Sequence, residues 1–289
     1  MTQQGIDIAP RRFTIVGVIG ASLPLLRRNF WQFFAIAFVV GIPILILSLL
    51  LAQFAAPVRN ASGVVTLPVG EIAGTALSAI TGFVGVLTYF VIQSAINYGA
   101  LQDLRGKAPA VAPCISRGLA VLPRVFVASL FLSLAMFALT FVAVLVVYGI
   151  AMAIAATTGR GVTIGAVWVA AVFGVSALFL FVTWWVFVPS IVVENAGPAA
   201  CFRRSRLLTK GHRWGILGIV MVVFVANFGC SVVIAFIGHS GAIATAALLN
   251  VVVALAFTAF SSVLTAVGYY ALRAEKEGFD LADLAPIFD

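Results

Sequence analysis

The sequence predicts an all-α fold, a polytopic membrane helix bundle with about six transmembrane helices in a single integral membrane domain over residues 1–289. The first observation is composition: 63% of the residues are hydrophobic and 9% are charged. Soluble domains are about 45–50% apolar and about 25% charged. The second is the length of the apolar runs, and the third is the placement of basic residues between them. Lipid must therefore surround most of this chain.

Each apolar run is long enough to cross a ~30 Å hydrocarbon core, which takes about 20 helical residues. Pro43 is expected to kink the first span, and the polar segments Pro57–Gly70 and Thr158–Gly161 are expected to be loops on one side. No charge occurs from Trp214 to Leu272, so Gly238-His239-Ser240-Gly241 is taken to divide two spans. The predicted spans are 30–55, 72–98, 125–157, 162–193, 214–237 and 242–272.

Basic, partly apolar segments precede spans 1, 3 and 5, and each predicts a cytoplasmic amphipathic helix at the membrane interface. The first is Phe13–Leu26, which arginine pairs flank, so a twin-arginine export signal is the alternative interpretation. The second is Ala112–Arg124, whose Arg117 lies seven residues before Arg124 and therefore on the same face. The third begins at Pro198. Together these segments indicate three copies of one unit at a period of about 90 residues.

The distribution of lysine and arginine predicts the orientation. Of the 17 Lys and Arg residues, only Arg59 and Arg160 lie on the side opposite the termini. Cytoplasmic loops carry the excess of basic residues. The prediction is a multi-pass protein of the bacterial cytoplasmic (inner) membrane, with the N-terminus, the C-terminus and the tail 273–289 in the cytoplasm.

The loop between spans 4 and 5 holds the candidate site. Its first residues predict a structural turn followed by a helix start, since proline suits the first helical position; they are Glu194, Asn195, Gly197 and Pro198. On one continuous helix, Arg203, Arg206, Lys210 and Arg213 would form one stripe. The opposite side would be apolar and interrupted by Arg204; its residues are Ala200, Cys201, Leu207 and Leu208. These cations either anchor the topology by snorkelling or contact anionic lipid headgroups or a phosphorylated ligand. Glu194 is expected to neutralise Arg203 or Arg204, with a transport or catalytic carboxylate as the alternative.

Several functional classes are not favoured. The net charge of +8 fits basic membrane loops without any nucleic-acid partner. Cys114, Cys201 and Cys230 lack metal-ligand spacing, so neither a metal nor a cofactor is expected. Gly238-His239-Ser240-Gly241 is similar to the motif of rhomboid proteases, but the only other histidine, His212, is predicted on the opposite membrane face. No catalytic residues are assigned, and the sequence predicts a protein that is not an enzyme.

Three stretches resemble bacterial integral membrane proteins of the glycerophosphodiester phosphodiesterase membrane-domain group: Tyr98–Pro109, Val188–Trp214 and Tyr269–Gly278. The resemblance covers most of the chain, and its motifs are topological rather than catalytic. Some relatives join such a module to a soluble phosphodiesterase barrel, which is not expected here. The resemblance therefore implies a multi-spanning inner-membrane protein and does not carry over the phosphodiesterase activity.

The expected function is a lipid-interacting or scaffolding accessory module of the membrane. Its expected partners are membrane lipids, including anionic headgroups, and other membrane proteins. The alternative is a transporter or permease-like protein for a small or lipidic solute. A central cavity lined by Asn97, Asn227 or Asn250 would favour that alternative.

Overall fold

The computed structural model describes residues 12–54, 58–59, 65–66, 71–158, 173–239 and 243–278. The predicted loops at Gly159–Gly161 and Ser240–Gly241, the start of the fourth span and most of the tail lie outside these residues. The described chain is helical apart from an antiparallel pair of two-residue strands, β1 (Val58–Arg59) and β2 (Val65–Thr66). The all-α prediction is confirmed.

Nine helices make up the described part of the chain. They are α1 (Ile15–Arg28), α2 (Phe30–Phe54), α3 (Glu71–Leu104), α4 (Val111–Thr158), α5 (173–183), α6 (Phe187–Glu194), α7 (Pro198–Thr209), α8 (Arg213–His239) and α9 (Ile243–Glu277). Within the described residues, six stretches are long and apolar enough to cross a membrane, with α5 and α6 together forming the fourth. The prediction of six spans is confirmed, and the protein is a multi-pass membrane protein.

The separate interfacial helix predicted over Ala112–Arg124 is wrong, because α4 continues through it without a break. Pro123 lies inside α4 and removes one backbone hydrogen bond. The buried side chains nevertheless keep helical spacing across the proline, at Cys114, Val121, Val125 and Ala128. Because this stripe is continuous, α4 stays packed on the bundle on both sides of Pro123.

Two further boundaries differ from the predictions. The fourth span is not one helix, because a turn at residues 184–186 separates α5 from α6. The carbonyl of Thr183 instead accepts hydrogen bonds from the hydroxyls of Ser205 (3.1 Å) and Thr209 (3.0 Å) of α7. The tail is also not wholly free in water, since α9 continues to Glu277. Both changes bring polar groups into contact around α7.

The helices pack most closely at the end that carries most of the lysines and arginines, called the basic end below. The two buried residues of α8, Ile216 and Ile219, lie within its first turns, and the buried stripe of α4 ends at Ala128. Farther along, apolar residues such as Phe137 and Phe228 are exposed. The core that fixes the helices relative to one another is therefore adjacent to the candidate site.

Candidate functional site

The turn between α6 and α7 is held against α4 by two arginines. Asn195 ends α6 in the left-handed conformation (φ 50°), which asparagine tolerates better than most residues. Its side-chain oxygen accepts hydrogen bonds from Arg117 at 3.0 Å and from Arg124 at 3.1 Å. Gly197 then caps α7 and Pro198 occupies its first turn. Asn195, Gly197 and Pro198 therefore form the turn that the sequence predicted.

Arg204 is the centre of an ion network that joins α6, α7 and α9. Its Nε donates to Glu194 at 2.9 Å, and its terminal nitrogens donate to both carboxylate oxygens of Glu277. The hydroxyl of Tyr269 donates to Glu194 at 2.6 Å, and Arg273 Nε donates to Glu277 at 3.0 Å. The hydrogen bond to Glu277 is the main cause that raises the pKa of Arg204, so its guanidinium stays charged.

Two other carboxylates at the basic end also have internal partners. Asp103, near the end of α3, accepts from Arg28 of α1 at 2.6 Å. Glu275 accepts from the backbone N–H of Phe13 at 2.7 Å and lies 3.5 Å from Nε2 of His212. Among the described residues, these carboxylates therefore stabilise contacts between helices. They do not neutralise the exposed cations of α7.

The single stripe predicted from Arg203 to Arg213 is wrong, because α7 ends at Thr209 and α8 starts four residues later. Gly211 turns the chain with φ +94°, a conformation that favours glycine. The ammonium of Lys276 donates to the carbonyls of Leu207 (2.6 Å) and Lys210, satisfying acceptors at the end of α7. Arg203, Arg206 and Lys210 are exposed, whereas Arg204 and Arg213 are partly buried.

Arg213 lines a cavity of about 340 Å³ between α5 and α8. Its guanidinium carbon is 5.1 Å from the centre of the Phe179 ring, a cation–π geometry. Its Nε is buried and has no hydrogen-bond partner among the described residues. We call this cavity the Arg213 groove; it is lined by Val175, Leu178, Phe179, Val182, Arg213, Trp214 and Leu217.

A second cavity, of about 390 Å³, is lined by residues of α5, α8 and α9 and by the turn after α5. We call it the Asn227 groove; its lining includes Phe181, Trp185, Val223, Phe224, Asn227 and Thr258. Phe181 and Phe224 are 52% and 61% exposed, so the groove opens at the surface of the bundle. Asn97 is buried elsewhere, in α3, where its amide nitrogen donates to the carbonyl of Gln93 at 2.8 Å.

The cysteines form no metal centre with other ligands in the described ranges. Cys201 is fully buried, and its Sγ lies 2.9 Å from the carbonyl oxygen of Pro198. Burial raises the pKa of the Cys201 thiol to about 11, so the thiol is neutral near pH 7. Nothing about this thiol indicates a nucleophile, because the thiolate is the reactive form.

The sequence interpretation identified Glu194 and the arginines of α7 but missed their partners on α9. The available signal was the scarcity of acids, since a carboxylate near the membrane is expected to have a cationic partner. It also missed Ser205 and Thr209 as donors to Thr183. Comparison of the chain with protein-family models, with curated proteins and with solved structures finds no match.

Proposed function

We propose that this protein is a non-enzymatic membrane module that binds anionic lipid headgroups at its basic end. One observation carries the proposal. Asp103, Glu194, Glu275 and Glu277 are each engaged by internal partners, while Arg203, Arg206 and Lys210 remain exposed. The described surface around α7 is therefore positively charged. A basic residue near an anionic leaflet contributes about 1 kcal/mol of attraction.

The setting of α7 supports contact with headgroups. This helix connects two membrane spans, so it lies close to the level where both spans leave the hydrocarbon. Its buried face contains Cys201, Ser205 and Leu208, which pack on the bundle. Its outer face carries Arg203, Arg206 and Leu207, which is 57% exposed, and Lys210 follows directly after its last residue. Such a mixed face suits the boundary between headgroups and acyl chains.

The proposal includes a location and an orientation. The module would lie in a bacterial inner membrane with the basic end and both termini in the cytoplasm, as the distribution of Lys and Arg favours. The resemblance to the glycerophosphodiester phosphodiesterase membrane-domain group is consistent with such a module. Partners of the module would be anionic lipids or other membrane proteins at the same surface.

Native mass spectrometry of the purified full chain with phosphatidylglycerol and phosphatidylcholine tests the headgroup proposal. In the triple variant R203Q/R206Q/K210Q we expect phosphatidylglycerol affinity to fall at least about tenfold, since three cations are lost. Phosphatidylcholine binding should not change. The control R59Q removes a cation from the opposite loop and should bind as the unmodified chain does. Unchanged phosphatidylglycerol affinity in the triple variant would contradict the proposal.

A transporter or permease-like function is the second candidate, and the Asn227 groove is the observation that favours it. Its mostly apolar wall includes the Asn227 side chain within a membrane span. A transport path for a polar solute would be wetted, so a cysteine introduced by Asn227→Cys would react with a charged thiosulfonate reagent. A groove filled by acyl chains would protect that cysteine. Protection would exclude a polar-solute path through this groove.

A further inference from the structure

We propose that the Arg213 groove binds one anionic phospholipid, with the phosphate on Arg213 and an acyl chain along the wall formed by α5. This inference rests on the proposed function and gives it a defined site. The surface cations of α7 would attract anionic lipid generally. The groove would hold a single molecule in a fixed position.

The first argument is the electrostatic situation of Arg213. Arg213 is partly buried and its Nε is withdrawn from water, which is costly for a charged group that gains no partner. Within the described part of the chain, no carboxylate pairs with Arg213, and its buried Nε donates to nothing. Among the described residues, the Phe179 ring is the group that Arg213 contacts through its charge. Arg213 also begins α8, where the helix dipole adds positive charge. This corner of the protein therefore favours an anion.

The second argument is the chemistry of the wall below Arg213. Val175, Leu178 and Val182 of α5 and Leu217 of α8 are apolar. Leu217 lies one turn into α8 from Arg213, and Val175 lies one turn before Phe179 in α5, so the wall extends from the arginine into the span. Val175 and Val182 are separated by ~10 Å along the α5 axis. A free phosphate or sugar phosphate would leave this wall uncovered. A phospholipid satisfies the cation and the wall together.

The third argument is depth in the membrane. Trp214 lines the same groove and is 84% exposed, and tryptophan concentrates at the level of the headgroups. The backbone at the other wall is fixed near that level, since the carbonyl of Thr183 is bound by two hydroxyls of α7. The end of the groove beside Arg213 and Trp214 thus lies at the level of lipid phosphates, and Leu217 and Val175 lie toward the acyl chains.

The test is native mass spectrometry of the full chain, titrated with phosphatidylglycerol, phosphatidylcholine and sn-glycerol phosphate. We expect Arg213→Gln to weaken the tightest phosphatidylglycerol site about tenfold, as the loss of a charge-assisted contact to phosphate predicts. Arg206→Gln removes one of the general surface cations and should weaken that site less than Arg213→Gln does. The control Arg59→Gln, in the opposite loop, should leave the site unchanged. Arg213→Lys should retain most of the binding. Leu178→Trp, which fills the groove and keeps the cation, should abolish the tight site.

Three outcomes would overturn the inference. Equal weakening by R213Q and R206Q would show a diffuse charged surface; the proposed function would then stand without this site. Competition by sn-glycerol phosphate as effective as that by phosphatidylglycerol would show that no acyl chain is recognised. Equal loss of phosphatidylcholine and phosphatidylglycerol in R213Q would show that the charge is not recognised. Melting temperatures matching the unmodified chain show that each variant is folded.

Discussion

Removal of the Arg204 cation should destabilise the bundle far more than removal of a neighbouring exposed arginine. Arg204→Met keeps a long unbranched side chain but removes the cation that binds Glu194 and Glu277 most closely, and leaves Arg273 beside both carboxylates. Breaking a fully buried ion pair costs about 3–5 kcal/mol. Exposed pairs contribute about 0–1 kcal/mol. The side chains of Arg204, Glu194 and Glu277 are 24%, 21% and 32% exposed. We therefore expect a loss of about 2 kcal/mol, between the two limits.

The assay is thermal unfolding of the purified chain in detergent. A loss of about 2 kcal/mol corresponds to a fall of ~4–8 °C in the melting temperature for a chain of this size class. The control Arg206→Met lies two positions further on the same helix and is exposed. It should stay within about 0.5 kcal/mol of the unmodified chain. In the double variant R204M/E277Q the loss should be smaller than the sum of the single losses, because both changes act on one network.

Equal melting temperatures for R204M and R206M would refute this reasoning. They would mean that solvent screens the network completely and that α6, α7 and α9 are held by apolar packing alone. An additive double variant would likewise show that Arg204 and Glu277 do not stabilise each other. In either case the internal neutralisation of the acids, on which the proposed function depends, would lose its support.

Three further predictions concern single positions. Gly118→Ala should lower the free energy of unfolding by about 1–3 kcal/mol, because a Cβ there would lie 2.9 Å from the carbonyl oxygen of Val91. The control Gly149→Ala, whose Cβ would have no neighbour within 4 Å, should leave thermal unfolding unchanged. Asn195→Gly should lower the free energy of unfolding by about 1 kcal/mol, because it removes the acceptor for Arg117 and Arg124. Asn195→Ala should cost about 1 kcal/mol more, because alanine is strained in the left-handed conformation of this position. An N195A protein as stable as N195G would contradict this. Because Cys201 is buried and its pKa is raised to about 11, its thiol should resist maleimide from pH 7 to pH 9, while a cysteine introduced by Arg206→Cys, at an exposed position, should react. Rapid labelling of Cys201 in the folded chain would show that it is not buried.

The spans were predictable because they depend on local composition. A run of about 20 apolar residues must be helical in hydrocarbon whatever surrounds it, since backbone polar groups have no other partners there. The start of α7 at Pro198 was predictable for a similar reason, because the signal lies within one turn of the helix. The pairing of Glu194 with Arg203 or Arg204 was predictable from the near absence of other acids in that region, and the structure shows that Arg204 is the partner.

The breaks and continuities of helices were not predictable, because they depend on distant residues. The turn after Thr183 is stabilised by hydroxyls of Ser205 and Thr209, which lie 22 and 26 residues later in the chain. The sequence of residues 184–186 alone therefore does not predict the turn. The continuity of α4 through Pro123 depends on its packing against α3, where Gly118 permits close approach. Arg213 does not share a helix face with Arg203 and Arg206, because α7 ends before it. That end depends on Lys276 of α9, which donates to carbonyls at the end of α7.

The distribution of packing argues that function resides at the basic end. There the helices are joined by a core, by ion pairs and by bound turns, so cations such as Arg203 and Arg206 project from a fixed surface. Toward the opposite end, α4 and α8 expose residues such as Phe137 and Phe228, which in a membrane are solvated by acyl chains without a defined geometry. A binding site needs side chains held in place by packing and hydrogen bonds. Only the basic end of the described bundle combines that rigidity with cations that lack internal partners.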